Sequence, residues 1–284
     1  MPRPAHPLLA ITLGDPSGIG PEVVARALAE RATYEMARPV VIGALGPMQR
    51  GIKDTGVGLV ARAASSIEGA GEDPGVVDVL NVDGFEDADF PLGELSAVSG
   101  KAAHAWIERA VRLCQNGGAD AMVTAPGNKE ALNMAGSTDM GHQEVFKRMS
   151  GSDYVATMLV SGVLRCMHLS THRSLIRAAE YATRENILMA TKLTDETFKR
   201  WGFENPRIAI AALNPHGGEN GMIGDEELTD IAPAVEDAKA LGINASGPIP
   251  ADSVFNQAIA GRWDVVVVLY HDQGHIPIKV HGFE

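Results

Sequence analysis

Histidines that follow three apolar runs decide what chemistry this chain can attempt. His168 and His172 flank LST in MHLSTHRS, His216 lies in LNPHGGENG, and His271 and His275 lie in YHDQGH directly after DVVVVLY. Neutral imidazole binds zinc and other divalent transition ions. In open α/β sheets, ligands gather beyond the C-terminal ends of strands. The intervals of 44 residues from His172 to His216 and 55 from there to His271 match no local metal motif. Two readings therefore stand side by side: a metal set assembled from three strand ends, or three structural histidines. Carboxylates accompany the histidines. Asp272 follows His271, and Asp252 sits in GPIPADSVF. A carboxylate near a metal can ligate it or orient a ligating histidine. Asp252 can equally cap the helical stretch SVFNQAIA.

Two further segments carry polar groups after strand-like runs. GDPSGIGPE, from Gly14 to Glu22, has glycines that permit a tight turn and close backbone approach to a ligand. A helix starting there would favour an anion. It is neither GxGxxG nor a P-loop, and a plain strand-to-helix turn explains it as well. TAPGNK is followed by GHQEVF, so Lys129, His142 and Gln143 could hold a carboxylate or phosphate. The alternative is a solvated loop lysine and a packed histidine.

The elements that must position these groups alternate in type. Strand-like runs are Leu8–Leu13, Pro39–Gly43, Val76–Val82, Asp120–Thr124, Arg207–Leu213 and Asp264–Tyr270, with a hairpin signal at Ser161-Gly162 between Tyr154–Val160 and Val163–Leu169. Helical spacing appears at Pro21–Glu30, Ser99–Gln115, Arg184–Lys199 and Glu226–Leu241. Pro21 suits a helix start, where its missing N–H costs nothing. Strands apolar on both faces, alternating with helices, predict an α/β fold with largely parallel sheets.

Composition narrows the function classes. In 284 residues there are 24 Lys and Arg against 36 Asp and Glu, a net charge of −12. That lacks the basic footprint of a nucleic-acid or anionic-membrane binder. At 45% hydrophobic and 21% charged the chain has ample material for a core. Aromatic residues are only 5%, too few for a base-stacking surface. The two cysteines, Cys114 and Cys166, form no CxxC and are expected as buried free thiols in a reducing compartment. No apolar run is long enough to span a bilayer, and the opening segment lacks the apolar core of a signal peptide. A cytoplasmic protein is expected, with no membrane and no nucleic acid among its partners.

Taken in order, LGDPSGIGPE, TAPGNKEAL with its following GH, STHRSL, LNPHGGENG with IGDEE, GPIPADSVF and LYHDQGHIPIK resemble the 4-hydroxythreonine-4-phosphate dehydrogenase family of vitamin B6 biosynthesis. The resemblance runs from about Leu9 to the last residue. It implies an α/β fold of isocitrate/isopropylmalate dehydrogenase type, with two αβα subdomains and a cleft between them. The expected division is 1–135 and 136–284, the second part carrying most of the metal-site histidines. It also implies homodimers with active sites shared between subunits. A divalent metal, zinc foremost with magnesium or cobalt as alternatives, would be held by His172, His216 and His271 drawn from both subunits. Asp252 and Asp272 fall at acidic positions near the metal and are candidate catalytic residues with Lys279. His142, Gln143 and Lys279 fall at substrate positions, Lys279 facing the phosphate. Gln143 stands where the family's GHTE motif carries threonine. NAD or NADP would accept the hydride. There is no Rossmann fingerprint, so its candidate contacts are Asn214, Gly217, Gly218 and Glu219 in the stretch from His216 to Glu227 and its neighbours.

The implied reaction is oxidation of a phosphorylated 3-hydroxy acid followed by decarboxylation. The leading substrate is 4-phosphohydroxy-L-threonine, giving 3-amino-2-oxopropyl phosphate. TAPGNKEA and MHLSTH look closer to a branch acting on D-threonate or D-erythronate 4-phosphate, and a further relative oxidises a cis-dihydrodiol of an aromatic acid. Family members continue for some tens of residues beyond the GF that matches Gly282-Phe283, a segment that normally completes the first subdomain. A rival expectation is therefore a truncated metal-binding homologue without turnover.

Overall fold

The computed structural model describes residues 6–86, 88–139 and 141–282. Phe283, of the Gly282-Phe283 pair singled out in the sequence, lies outside them. The chain forms two compact units, Met1–Val155 and Ala156–Glu284.

In the first unit, β1 (Leu8–Thr12), α1 (Gly20–Ala29), α2 (Arg31–Met36), β2 (Arg38–Gly43), α3 (Leu45–Thr55), β3 (Val60–Ala64), β4 (Val76–Asn81), α4 (Ala97–Gln115), β5 (Ala121–Thr124), α5 (Lys129–Met134) and α6 (His142–Ser150) follow one another. The five strands make one parallel sheet in the order β3-β4-β2-β1-β5. The apolar β1 and β2 occupy interior positions of this sheet, as strands buried on both faces should. Trp106 of α4 is fully buried and meets Phe85 and Phe90 edge-on at 6.4 and 6.2 Å. Helix α6 belongs to this unit because Val145 packs on Ile107 and Val111 of α4. The compact unit accordingly runs to Val155, past the division expected at 135/136.

In the second unit, β6 (Thr157–Ser161), β7 (Leu164–His168), α7 (Leu175–Tyr181), α8 (Arg184–Arg200), β8 (Ile208–Ala211), α9 (Ala232–Ala240), β9 (Ala245–Ile249), α10 (Ala251–Ile259), β10 (Val265–Val268) and α11 (His271–Gly282) form a second layered unit. The sheet order is β6-β7-β10-β8-β9. Strands β7, β10, β8 and β9 are parallel, and β6 runs antiparallel to β7 through the expected hairpin. The four valines of β10 lie at the centre of this sheet and are fully buried.

Both sheets are parallel-dominated and helix-covered, as the alternating pattern predicts. Three differences have local causes. Strand β3 (VARAA) is a mostly exposed edge strand without an apolar signature. Helix α11 contains Gly274 and Pro277, residues that read as breakers. The helix expected over Glu226–Leu241 opens with a π-helical turn, Glu227–Ile231, before α9. Among the described residues no helix is long and apolar enough to cross a membrane. Both cysteines are free, and burial pushes the Cys166 thiol up to about 12.

Candidate active site

Sheet topology brings the chemistry of the second unit to one edge. Because β7, β10, β8 and β9 are parallel neighbours, the segments that follow them leave from the same side. His172 follows β7, His271 opens α11 after β10, His216 follows β8, and Asp252 lies in the first turn of α10 after β9. The rings of His172 and His271 stand 6.4 Å apart, near the limit of what two imidazoles can span around one ion. Asp252 is close enough to His216 to favour its charged form. Asp252 does not cap α10, whose N-cap is Pro250. Among the described residues no group of three or more His, Cys, Asp or Glu side chains comes together as a metal set.

The donor chemistry nevertheless suits a metal. His271 Nδ1 is 2.6 Å from Asp272 Oδ1, and His216 Nδ1 is 2.7 Å from Glu219 Oε1. Each carboxylate fixes one nitrogen of its ring and leaves Nε2 as the outward donor, the arrangement that metal-bound histidines use. The hydrogen bond from His216 to Glu219, with their charge attraction, also raises the pKa of His216.

His216 sits in a turn that resists ordinary backbone geometry. Residues His216 to Asn220 all have positive φ, including the non-glycine His216, Glu219 and Asn220. Each non-glycine residue held there costs on the order of 1 kcal/mol or more. The turn is closed by Glu227, a buried carboxylate that accepts the backbone N–H groups of Leu213 and Asn214 and the Asn214 amide at 2.7–2.8 Å. Asn214 also donates to Glu226 at 2.6 Å. Gly218 must be glycine, because a Cβ would lie 2.6 Å from Glu227 Oε2. Of the residues expected to contact the nucleotide, Asn214 and Gly218 thus shape the turn and Glu219 holds His216. Gly217 is half-buried beside them.

Behind His271 lies a column of imidazoles. His275 stacks on His271 at 3.6 Å, and His168 meets His275 edge-on at 4.7 Å. His168 is buried and neither ring nitrogen has a hydrogen-bond partner. Burial first, and His275 second, push its pKa from 6.5 down to about 4. Between those two values the unfolded chain binds a proton that the folded chain refuses, so acidification destabilises the fold. The effect between about pH 7 and pH 5 is about 2 kcal/mol. Denaturant unfolding at both pH values should show His168→Leu losing about 2 kcal/mol less stability than the parent on acidification. An unchanged pH slope would mean that the ring titrates normally.

Beside His271, Thr171, Arg173, Leu175, Tyr270 and Asp272 line a cavity of about 300 Å³. This is the low end of small-ligand sites. The Arg173 guanidinium lies over the Tyr181 ring at 4.0 Å, a cation–π contact. Arg173 and Tyr270 lie next to the histidines in sequence, and that adjacency is the signal that could have singled them out. Lys279 is exposed in the last turn of α11, and its charge is felt at His275.

In the first unit, glycines of the GDPSGIGPE turn are required by packing. A Cβ on Gly14 would strike the Pro126 carbonyl, and one on Gly20 the Leu13 carbonyl. These glycines let the loop after β1 close on the loop after β5 and on α1. His142 opens α6, whose N-cap, Gly141, makes no side-chain cap bond. Burial lowers the His142 pKa, with Glu144 opposing and Lys129 adding to the shift. Gln143 follows in the same turn. Asn128 caps α5 by accepting the N–H groups of Glu130 and Ala131.

Known proteins match this chain along most of its length. The model of a family described as pyridoxal phosphate biosynthetic protein PdxA matches residues 35–284. The chain is 41% identical over 278 residues to 4-hydroxythreonine-4-phosphate dehydrogenase of Geobacter metallireducens, covering 98% of this chain and 82% of that one. It is 40% identical over 279 residues to D-threonate 4-phosphate dehydrogenase of Cupriavidus necator, covering 98% and 84%. A crystal structure of a 4-hydroxythreonine-4-phosphate dehydrogenase from Burkholderia phymatum superposes with a TM-score of 0.91 at 40% identity, covering 98% of this chain and 84% of that one. With this likeness in fold and sequence over nearly its whole length, the chain belongs to the PdxA family of pyridoxal phosphate biosynthetic proteins.

Proposed function

We propose that this chain is a metal- and NAD(P)-dependent dehydrogenase of a phosphorylated 3-hydroxy acid, with 4-phosphohydroxy-L-threonine as the leading substrate. The observation that carries the reading is the arrival of His172, His271, His216 and Asp252 from adjacent parallel strands at one sheet edge, in a chain whose named relatives are dehydrogenases of phosphorylated hydroxy acids. When bound, a divalent ion supplies Lewis-acid polarisation of the substrate hydroxyl.

The side chains supply the rest. Asp272 and Glu219 hold His271 and His216 in the tautomer that presents Nε2. Asp252 and Asp272 are the carboxylates that would take the hydroxyl proton, and NAD(P), when bound, would supply the hydride acceptor. The resulting 3-keto acid loses CO2 and leaves 3-amino-2-oxopropyl phosphate. Lys279 offers a cation to the phosphate, and His142 and Gln143 are substrate contacts of the first unit. The turn around Asn214, Gly217, Gly218 and Glu219 is offered to the nucleotide. Since the described residues of one chain bring no three ligands together, we assign the functional form to a homodimer that shares its sites. The compartment is the cytoplasm.

A second reading, oxidation of D-threonate 4-phosphate, draws on the relative of that name at almost equal identity. Purified protein with NAD and with NADP, assayed on both phosphorylated acids, separates the two. We expect kcat/KM for 4-phosphohydroxy-L-threonine to exceed that for D-threonate 4-phosphate by at least about tenfold. The reverse ratio would assign the second substrate, and turnover of neither would overturn the dehydrogenase reading.

A further inference from the structure

The imidazole column behind His271 controls where that ring can point. His271 opens α11 and its side chain is 39% exposed, so the core does not hold it. Asp272, the carboxylate 2.6 Å from its Nδ1, is 69% exposed. A contact that open to water is weak and does not by itself keep the ring from turning. The outer torsion of a histidine side chain is broad and roughly two-fold, so a ring at a helix start has a wide choice of planes.

His275, about one turn further along α11, removes that choice. Residues four apart face each other on a helix. Here the two rings lie within 10° of parallel, with centroids 3.6 Å apart, in van der Waals contact over their faces. An edge-to-face pair needs about 4.5 Å or more, so His271 cannot swing out of this plane while His275 stays in place. A half-turn flip is the freedom that remains, and it exchanges Nδ1 with Cδ2 and breaks the bond to Asp272. The stack therefore fixes the plane and Asp272 fixes the flip. Only the two together aim Nε2 in one direction.

His275 is itself braced. Its Nδ1 donates to the His271 carbonyl at 3.0 Å. Behind it stands His168, buried at the end of β7, edge-on at 4.7 Å and 63°. His168 fits against the helix because position 274 is glycine. A Cβ there would strike the His168 ring and come within 2.7 Å of Val268 Cγ2. The column thus runs from the interior of the sheet out to the exposed ring.

We propose that His275 is a positioning residue for His271, acting through the face of its ring and not as a ligand. That His271 binds a metal rests on the function proposed above; the hold on its ring does not.

The full chain is compared with His275→Ala, His275→Gln and His275→Phe in two ways, with the thermal midpoint as a check on folding. Long-range nitrogen–proton spectra of the metal-free protein, at about pH 8 where ordinary imidazoles are neutral, report the tautomer of His271. The parent should show one form, with the proton on Nδ1. His275→Ala and His275→Gln should show a mixture, although glutamine can still donate to the His271 carbonyl. Cobalt(II) affinity, read from visible absorption, should fall about tenfold or more in both, with altered bands, the loss typical when a group that orients a ligand is removed. His275→Phe keeps a flat ring without nitrogens and should stay within about threefold of the parent. A single tautomer that depends on His275, in a protein that binds no cobalt, would support the hold on the ring and strike only the metal reading. Parental affinity and tautomer in His275→Ala or His275→Gln would overturn the proposal. So would a well-folded His275→Phe as weak as His275→Ala, because the nitrogens of His275 would then be what the ion needs.

Discussion

His271→Ala should strip the divalent ion from the protein and lower NAD(P) reduction on the order of 10³-fold, while the fold stays intact. The magnitude follows from removing a group that stabilises developing charge at the reacting oxygen, commonly 10²–10³ in kcat. The fold should survive because His271 is the first residue of α11 and only partly buried, and its stacking partner His275 keeps its bond to the His271 carbonyl at 3.0 Å. Asp272→Asn is the graded companion. It keeps His271 but removes both the charge that orients it and one of the two candidate proton acceptors, so a loss of at least about 10–100-fold is expected. Metal content by elemental analysis, kcat and the thermal midpoint together decide the matter. An alanine variant that keeps a stoichiometric ion and parental kcat would make His271 a structural residue.

The second large effect concerns stability. Gly100 lies inside α4, where an alanine would ordinarily add about 0.5–1 kcal/mol to a helix. Here the sign reverses. A Cβ at this position would occupy the space of the Ala131 carbonyl and approach Leu132 N to 2.8 Å. Both obstacles are backbone, which cannot rotate away, so α4 and α5 would have to part. Gly100→Ala should therefore destabilise the protein by about 3 kcal/mol, within the range for overpacked cores. Helix α5 carries Lys129 and Leu132, which line a small cavity within the first unit, so that cavity should loosen with it. Gly46 supplies the control. It is exposed in the first turn of α3 and a Cβ there would meet nothing within 4 Å. Gly46→Ala should be neutral or stabilising by up to about 1 kcal/mol. Urea unfolding of the two variants should give opposite or clearly separated shifts. A Gly100→Ala variant as stable as the parent would mean that the two helices are not in backbone contact.

How much of this could be read from the chain varies by element. DVVVVLY needed only hydrophobicity to declare a buried strand, and β10 is one. The histidines were found by following such runs to their ends. Their lateral order, β7 then β10 then β8, was not legible, because strand pairing is a long-range packing choice that no local pattern encodes. Helix α11 was hidden by Gly274 and Pro277. Gly274 is there for packing, since a Cβ would strike the His168 ring. Thr12 was hidden differently: within LLAIT it reads as one more strand residue. Only the folded chain shows its hydroxyl buried without a hydrogen-bond partner. The carboxylates that meet His216 and His271 lie within three residues of them, Glu219 and Asp272, but that either of them bonds its histidine shows only in the folded chain.

The most direct test of the central claim is to follow NADH or NADPH formation from 4-phosphohydroxy-L-threonine by the purified protein, as isolated, after exhaustive chelation, and after return of one equivalent of zinc per chain. The account predicts turnover that disappears on chelation and returns with zinc, yielding one CO2 and one 3-amino-2-oxopropyl phosphate per reduced nucleotide. Full turnover in the chelated, metal-free protein would contradict it.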